Sequence, residues 1–433
     1  MKKTSGAGAC ERPGRPGKGV DVGVLSVKKL ALVGAASVVM AAGCGEENPA
    51  ECQSFADCGG ETPWCSPEAT CEALPMGHQI GVGDGSPGSV DLVTVYTTER
   101  EMELTDLAFN PIEENELWLV RREFESDEPC EEGNATAAGC AALEGSVAVI
   151  WDVGSAEQQV YTETDPNAWH FMRRPPALAF GDNGFWATVG EARTANYMDG
   201  AVDFMGPVLW SADLEVFGVQ PPGLNGSHFD MLHHAPYGMG IAHEVDNVYW
   251  VFNGELGSID RTDFAMDHGA GQDYHGDGEV LRYVPGQVKR VENVPSHMQL
   301  DKETNLLYVA DTGNARIVRL DITAGEQGSP ISEPNFDGLE IFHHMEGVEL
   351  EEVVAPGLLE APSGLALYEG VIFVSDQATG KLHAFSLEGE HLRELDTGLG
   401  AGALAGVEVS PVDGNLYFVH QSEGKLYRVD VIL

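Results

Sequence analysis

From residue 105 onward the chain alternates short apolar runs with turn residues, and one fifteen-residue pattern recurs: an apolar strand, a polar turn, a second apolar strand, an acid. The clearest copy is LYVADTGNARIVRLD at 307–321. Ungapped copies are YWVFNGELGSIDRTD at 249–263, IFVSDQATGKLHAFS at 372–386 and LYFVHQSEGKLYRVD at 416–430. Two more begin LWLV at 117 and FWAT at 185 and resume as VAVIWD and PVLWSAD after insertions in the turn. The second position is aromatic every time: Trp118, Trp186, Trp250, Tyr308, Phe373 and Tyr417. A β-rich unit recurring at intervals of 44 to 68 residues predicts a radial array, a β-propeller, rather than a helical solenoid.

A shorter apolar strand precedes each copy (TDLAFN, PALAF, GMGIA, HMQLD, SGLAL, AGVEV) and supplies strand a of a blade, with the repeat supplying b and c. A fourth strand d follows in five units, for example EQQVYTE, LEVFGV and LRELD. The last unit has none before the chain stops. VDLVTVYTT at 90–98 is the segment expected to fill that place, pairing the two ends and removing an exposed edge. The prediction is an all-β, six-bladed propeller over 89–433, with the six aromatics as core between blades. Runs such as VYWVF, apolar at successive positions, fit strands covered on both faces.

LYVADTGNARIVRLD resembles an NHL repeat, and the segments at 372 and 416 resemble it less closely. The resemblance implies a six-bladed ring whose members range from binding scaffolds to the lyase domain of peptide-amidating enzymes; fold alone does not choose among them. In that lyase family one zinc-binding His starts strand a in each of three blades. Here His297 alone matches, since Gly238 and Gly364 occupy the neighbouring equivalents, so the resemblance does not carry the activity over.

Lys28 and Lys29 precede the apolar run LALVGAASVVMAAG and then Cys44. Fourteen apolar residues are too few to span a bilayer, which takes about 20, but they suit a signal-peptide core. Ala41-Ala42-Gly43-Cys44 resembles a bacterial lipobox, which implies a signal peptide over 1–43, lipidation of Cys44, and an exported lipoprotein at the cell envelope, expected at the outer membrane. Residues 44–88 form a lipidated linker and a cysteine-rich module. Cys52, Cys58, Cys65 and Cys71 in a coreless exported segment point to two disulfides in one of three connectivities, with zinc as the alternative reading. Cys130 and Cys140 would staple the insertion of the first blade.

The chain carries 24 Lys and Arg against 69 Asp and Glu, a net charge of −45. Removing 1–43 leaves 17 basic and 67 acidic residues. A surface so short of clustered cations excludes nucleic acid as a partner. Protein, peptide or small-molecule ligands remain, together with the membrane through the lipid anchor.

In a propeller the d-to-a connections and b-to-c turns share one face, and the residues ahead of each strand a line the axial mouth: Asp106, Ala177, Gly238, His297, Gly364 and Gly406. The same face is expected to carry His170, Arg173, Arg174, His228, His233, His234 and Tyr237, with Asn253, Asp311, Asp376 and His420 at the ends of strands b. Asp106, His170, His233, His234, Tyr237 and His297 are therefore the axial binding candidates, since imidazoles and carboxylates from separate blades can hold an open metal site. In DHGAGQDYHGDGE at 267–279, Asp273, His275, Asp277 and Glu279 alternate in a Gly-bearing loop, a pattern suited to a hard cation. The cofactor expectation is a divalent cation, calcium or zinc. No nucleophile elbow, phosphate loop or nucleotide fingerprint occurs. The residues support a binding or scaffold module, with a metal-dependent lyase or hydrolase at the axial mouth as the alternative.

Overall fold

The computed structural model describes residues 52–432 apart from 54, 61, 100, 101, 124–143, 196–201 and 273. The segment 1–43 expected to be a signal peptide, Cys44, Cys130, Cys140 and Asp273 lie outside the described residues. Six four-stranded antiparallel blades follow one another around a ring. Blade 1 is Met102–Phe109, Glu116–Glu123, Gly145–Trp151 and Gln159–Glu163. Blade 2 is Leu178–Phe180, Phe185–Thr188, Val208–Ser211 and Asp230–Met231. Blade 3 is Gly238–Val245, Val248–Asn253, Ser258–Asp263 and Glu279–Tyr283. Blade 4 is Met298–Asp301, Leu306–Asp311, Arg316–Asp321 and Leu350–Val354. Blade 5 is Pro362–Tyr368, Val371–Asp376, Lys381–Ser386 and His391–Asp396. Blade 6 has Leu404–Val409, Leu416–His420 and Lys425–Asp430, and its outer strand is Asp91–Thr97. That strand pairs antiparallel with the last one, from Asp430↔Asp91 to Lys425↔Thr97, so the two ends of the ring share one sheet as expected.

The repeated aromatics lie between blades. All six are at most 1 % exposed, and Trp118 of blade 1 meets Trp186 of blade 2 edge to face at 5.1 Å. Each indole also finds an acceptor, Trp118 on Glu116 Oε1 at 2.8 Å and Trp186 on the Ser211 carbonyl at 3.0 Å, which removes the cost of burying the N–H.

One expectation is corrected. LEVFGV is not strand d of blade 2: the amides of Val216 and Phe217 bond back to the Asp213 carbonyl at 2.8 Å, and Asp213 Oδ1 accepts from Glu215 N. Local acceptors outcompete the ladder there. Phe217 instead plugs the core against Trp118, Trp186 and Trp210, and Asp230–Met231 takes the outer place. GEVLRYV supplies the fourth strand of blade 3, since Ser258–Asp263 fills the third position. His343 and His344 lie in the excursion between strands c and d of blade 4. They sit in a hairpin, Glu326–Pro330 and Ile341–Glu346, that leaves blade 4 between its strands c and d and pairs in parallel with strand d of blade 3. Blade 3 thereby becomes a six-stranded sheet.

Ahead of the ring, the cysteines pair as Cys52–Cys65 and Cys58–Cys71, two interlocked loops that each restrict the unfolded chain. Ile80 and Val90 are buried in the same cluster as blades 5 and 6. No helix among the described residues is long and apolar enough to cross a membrane.

Candidate functional site

The axis is blocked near the face formed by the d-to-a connections and b-to-c turns. Glu191, at the end of strand b of blade 2, binds Arg122 Nη1 of blade 1 at 2.9 Å and Arg290 Nη1 at 3.2 Å, and accepts from Asn293 N at 2.8 Å. Arg122 also pairs with Glu103. From blade 6, Gln421 Nε2 donates to the Asn293 carbonyl at 3.0 Å, which bridges the mouth. Tyr237, in a left-handed conformation at φ 53°, lies under the Arg290 guanidinium at 4.1 Å. Every cation in this cap is spent on a carboxylate or ring.

Beneath the cap, Asp106 of blade 1 and His297 of blade 4 meet across the axis, Nδ1 to Oδ1 at 3.2 Å. Burial drives the His297 imidazole down to about 4 and pushes Asp106 well above the usual carboxylate range. His297 Nε2–H donates to the Pro176 carbonyl at 3.1 Å. Asp106 accepts in turn from Leu178 N at 2.9 Å and Leu107 N at 2.8 Å. Both nitrogens of His297 are engaged within the fold.

Below this pair the axis widens into a cavity of about 910 Å³, whose lining includes Asp106 and His297, apolar Leu107, Met298, Leu365 and Val407, and the a-to-b turns at 110–115 and 411–412. It faces the opposite side of the ring from the one expected. The cause is the ionic cap: long side chains at the ends of strands b fill the other mouth. Glu408 lines the cavity, and loss of hydration together with nearby Asp106 pushes its carboxyl up to about 8. Lys302 and His243, Nζ to Nδ1 at 2.9 Å, sit at its rim.

Of the other expected candidates, Asp311 and Asp376 are consumed locally. Asp311 accepts from Lys289 N and Arg316 Nε, both at 2.8 Å. Asp376 accepts from Glu360 N and Ala361 N. His234 belongs to a buried network, its Nε2 on Thr262 Oγ1 at 3.0 Å, beside the Arg282–Asp260 pair.

His170 and His233 join a different group, on the flank of the ring where blades 2 and 3 adjoin. His170 rides on a single-turn helix, Ala168–Phe171, in the connection between blades 1 and 2. His228 and Asp230 enter strand d of blade 2, and His233 leaves it. His275 comes from the connection before strand d of blade 3, and Asp337 from the turn of the added hairpin. Ring centroids lie 6.4 Å apart for His170 and His233, 5.7 Å for His233 and His275, and 6.3 Å for His228 and His275. His233 Nδ1 meets Asp337 Oδ1 at 2.8 Å, and His275 Nδ1 meets Asp230 Oδ1 at 2.6 Å. His228 stacks on Phe171 at 3.7 Å. Its approach depends on Gly226, whose φ is +71° and where a Cβ would lie 2.8 Å from Asp165 Oδ1; that carboxylate holds Ser227 by N and Oγ, both at 2.7 Å. Burial lowers His170 to about 4 and His228 to about 3. Burial opposes charge on Asp337, but the side-chain and backbone bonds from His233, with the nearby imidazoles, together outweigh it and the carboxyl is lowered. Nearby, His268 Nε2 meets Asp277 Oδ1 at 2.9 Å, and Asp230, His268 and Asp277 present ligand atoms within 4.8 Å of one another. Glu279 opens strand d of blade 3.

Sequence reasoning missed Asp230, Asp337 and Glu408. The motif HFDMLHH at 228–234 carries a usable signal for Asp230, but nothing local ties Asp337 to it, more than a hundred residues away.

The fold and these sites define a six-bladed propeller with a closed axis, a one-sided cavity and a histidine-rich flank. No family model and no curated protein matches the chain. Among solved structures it is similar to an auxiliary nutrient binding protein from Bacteroides ovatus, at 10 % identity over 84 % of this chain and 78 % of that one, TM-score 0.48. It is also similar to the calcium-binding protein regucalcin from Agrobacterium tumefaciens, at 13 % identity over 79 % and 96 %, TM-score 0.46. A third likeness is to virginiamycin B lyase from Staphylococcus aureus, at 12 % identity over 79 % and 99 %, TM-score 0.41. Likeness at this level assigns no function.

Proposed function

We propose that this chain is an exported, NHL-like propeller lipoprotein, held at the cell envelope, at the outer membrane, by acyl chains on Cys44, that binds a small molecule in its axial cavity. The observation that carries the reading is the cavity, about 910 Å³, within the size range of small-molecule sites. Its walls, apolar and polar in similar measure, favour an amphipathic ligand. Glu408, poorly hydrated and accessible from the cavity, favours one with an amino or other hydrogen-bond-donating group, which would add to the bond its carboxyl accepts from Val409 N at 3.1 Å. A metal-dependent lyase or hydrolase at the same axis has less support, since both ring nitrogens of His297 are engaged within the fold and one would have to give up its partner to ligate.

The test is a ligand screen by thermal shift. Compounds that raise the melting temperature of the wild type should fail to do so in Leu367→Trp, which fills the cavity. Shifts that persist in the filled variant would place binding elsewhere. Anchoring is tested separately: Cys44→Ala should move the protein from the membrane to the soluble fraction, and unchanged fractionation would remove the lipid anchor from the reading.

A further inference from the structure

Asp230 begins strand d of blade 2 and is 0 % exposed. Its Oδ1 accepts from Met231 N and from His275 Nδ1, both at 2.6 Å. Its Oδ2 is buried as well, and no hydrogen bond from the described residues reaches it. Buried polar atoms almost always find a partner. Protonation does not remove the difficulty, since a proton on Oδ2 would be a donor without an acceptor. What meets this oxygen therefore comes from outside the chain.

The neighbours favour a cation over a water molecule. His268 and Asp277, in the connection between strands c and d of blade 3, each present a ligand atom, and these two and an oxygen of Asp230 lie within 4.8 Å of one another. Atoms bound to one ion at about 2.0–2.2 Å lie about 3–4 Å apart, so the three close on an ion by moving less than about an ångström each. His268 Nε2 and Asp277 Oδ1 are already 2.9 Å apart. Two carboxylates and an imidazole brought together attract a positive charge. No lysine or arginine of the described residues pairs with Asp230 or Asp277. The chain as a whole carries −45, which concentrates cations around it.

We propose that Asp230, His268 and Asp277 bind a divalent first-row transition-metal ion such as zinc, with His275 as a positioning residue that holds the Asp230 carboxylate through Oδ1 and leaves Oδ2 to the ion. Two carboxylates and one imidazole, with water completing the coordination, suit zinc; calcium takes about 6–8 oxygen ligands and gains little from an imidazole. The side chains of His268 and Asp277 are 15 % and 25 % exposed, which gives the ion an entry path and room for water. Of the loop residues expected to hold a cation, Asp277 is a ligand and His275 orients one. The ion ties the insertion of blade 3 to the outer strand of blade 2, beside backbone bonds such as Gly271 N to the His228 carbonyl at 2.7 Å. None of these residues lines the axial cavity, and the two proposals stand or fall independently.

The full chain, purified without a histidine tag and stripped with a chelator, is titrated with zinc and with calcium against a chromophoric competitor. The expected result is one zinc per chain, bound more tightly than calcium, and a melting temperature that rises with zinc. His268→Ala and Asp277→Asn, both in a connection rather than a strand, should each abolish stoichiometric zinc. His275→Ala should weaken it roughly 10- to 100-fold, and His275→Gln, which keeps an N–H for Asp230, should recover part of that loss. Circular dichroism of the stripped variants checks that the ring is folded; a variant that fails this check is replaced by His268→Gln, read in the same way. His383, His391 and Glu394 also place ligand atoms within 4.8 Å of one another, and His391→Ala should leave the zinc in place. Stoichiometric zinc that survives both His268→Ala and Asp277→Asn, or that is lost in His391→Ala, would overturn the proposal. So would a wild type that prefers calcium, or one that binds no stoichiometric zinc, in which case water meets Asp230 Oδ2.

Discussion

Asp106 and His297 belong to opposite blades, and their side chains meet 3.2 Å apart on the axis of the ring. The contact closes the inner end of the cavity, and burial disfavours charge on both groups. Asp106→Leu should cost about 1–3 kcal/mol by leaving the Leu107 and Leu178 N–H groups unmet, and Asp106→Asn, which keeps an acceptor for one of them, should cost less. Urea unfolding of the two variants checks this. Equal losses would show that charge, not hydrogen bonding, holds the pair.

Closure of the ring gives a second expectation. Deleting 91–97 strips strand d from blade 6 and exposes the edge of Lys425–Asp430. The whole ring should lose cooperativity and melt at lower temperature, while deleting 52–72, the disulfide module, should leave the melting of the ring nearly unchanged. Calorimetry of both truncations distinguishes them, and matching losses would sink the closure argument.

The carboxyl of Glu408 sets a pH dependence. Its pKa in the folded protein is about 8, against 4.5 for an unhindered Glu, so the unfolded chain gives up this proton first as pH rises. The stability that the protonated group supports is complete below about pH 4.5, falls through the interval, and is fully lost above about pH 8. Melting temperature followed from about pH 5 to pH 9 should decline, and Glu408→Gln should flatten the decline. A curve that is the same in both proteins would mean that Glu408 is hydrated.

Trp186 is fully buried and packs on Trp118, Trp210 and Phe217. Trp186→Ala should cost about 3–5 kcal/mol in denaturant unfolding. Ala at Trp151, a partly buried residue at the end of strand c of blade 1 that stacks on Tyr161, should cost less. The reverse order would contradict the assignment of the repeated aromatics to the core between blades.

The ring itself was legible because its causes are local and repeated. An aromatic at the second place of each strand b, turn residues at fixed offsets and an unpaired final blade each follow from neighbours in the chain, and six copies average away the irregular ones. Where the cavity opens was not legible. That depended on Arg122, Glu191, Asn293 and Gln421, which come from different parts of the ring, converging on one mouth, and no periodicity records such a meeting. The metal-type candidates divided similarly. His170, His233 and His297 looked equivalent at the level of strand position, yet insertions carried the first two out to the flank and left the third on the axis. Asp337 reached His233 by way of a hairpin that abandons its own blade to pair with another. Repeats determine the scaffold because each strand needs only its neighbours in the blade; the sites lie in the insertions, whose paths are set by whichever exposed edge and unmet polar group they can reach in three dimensions.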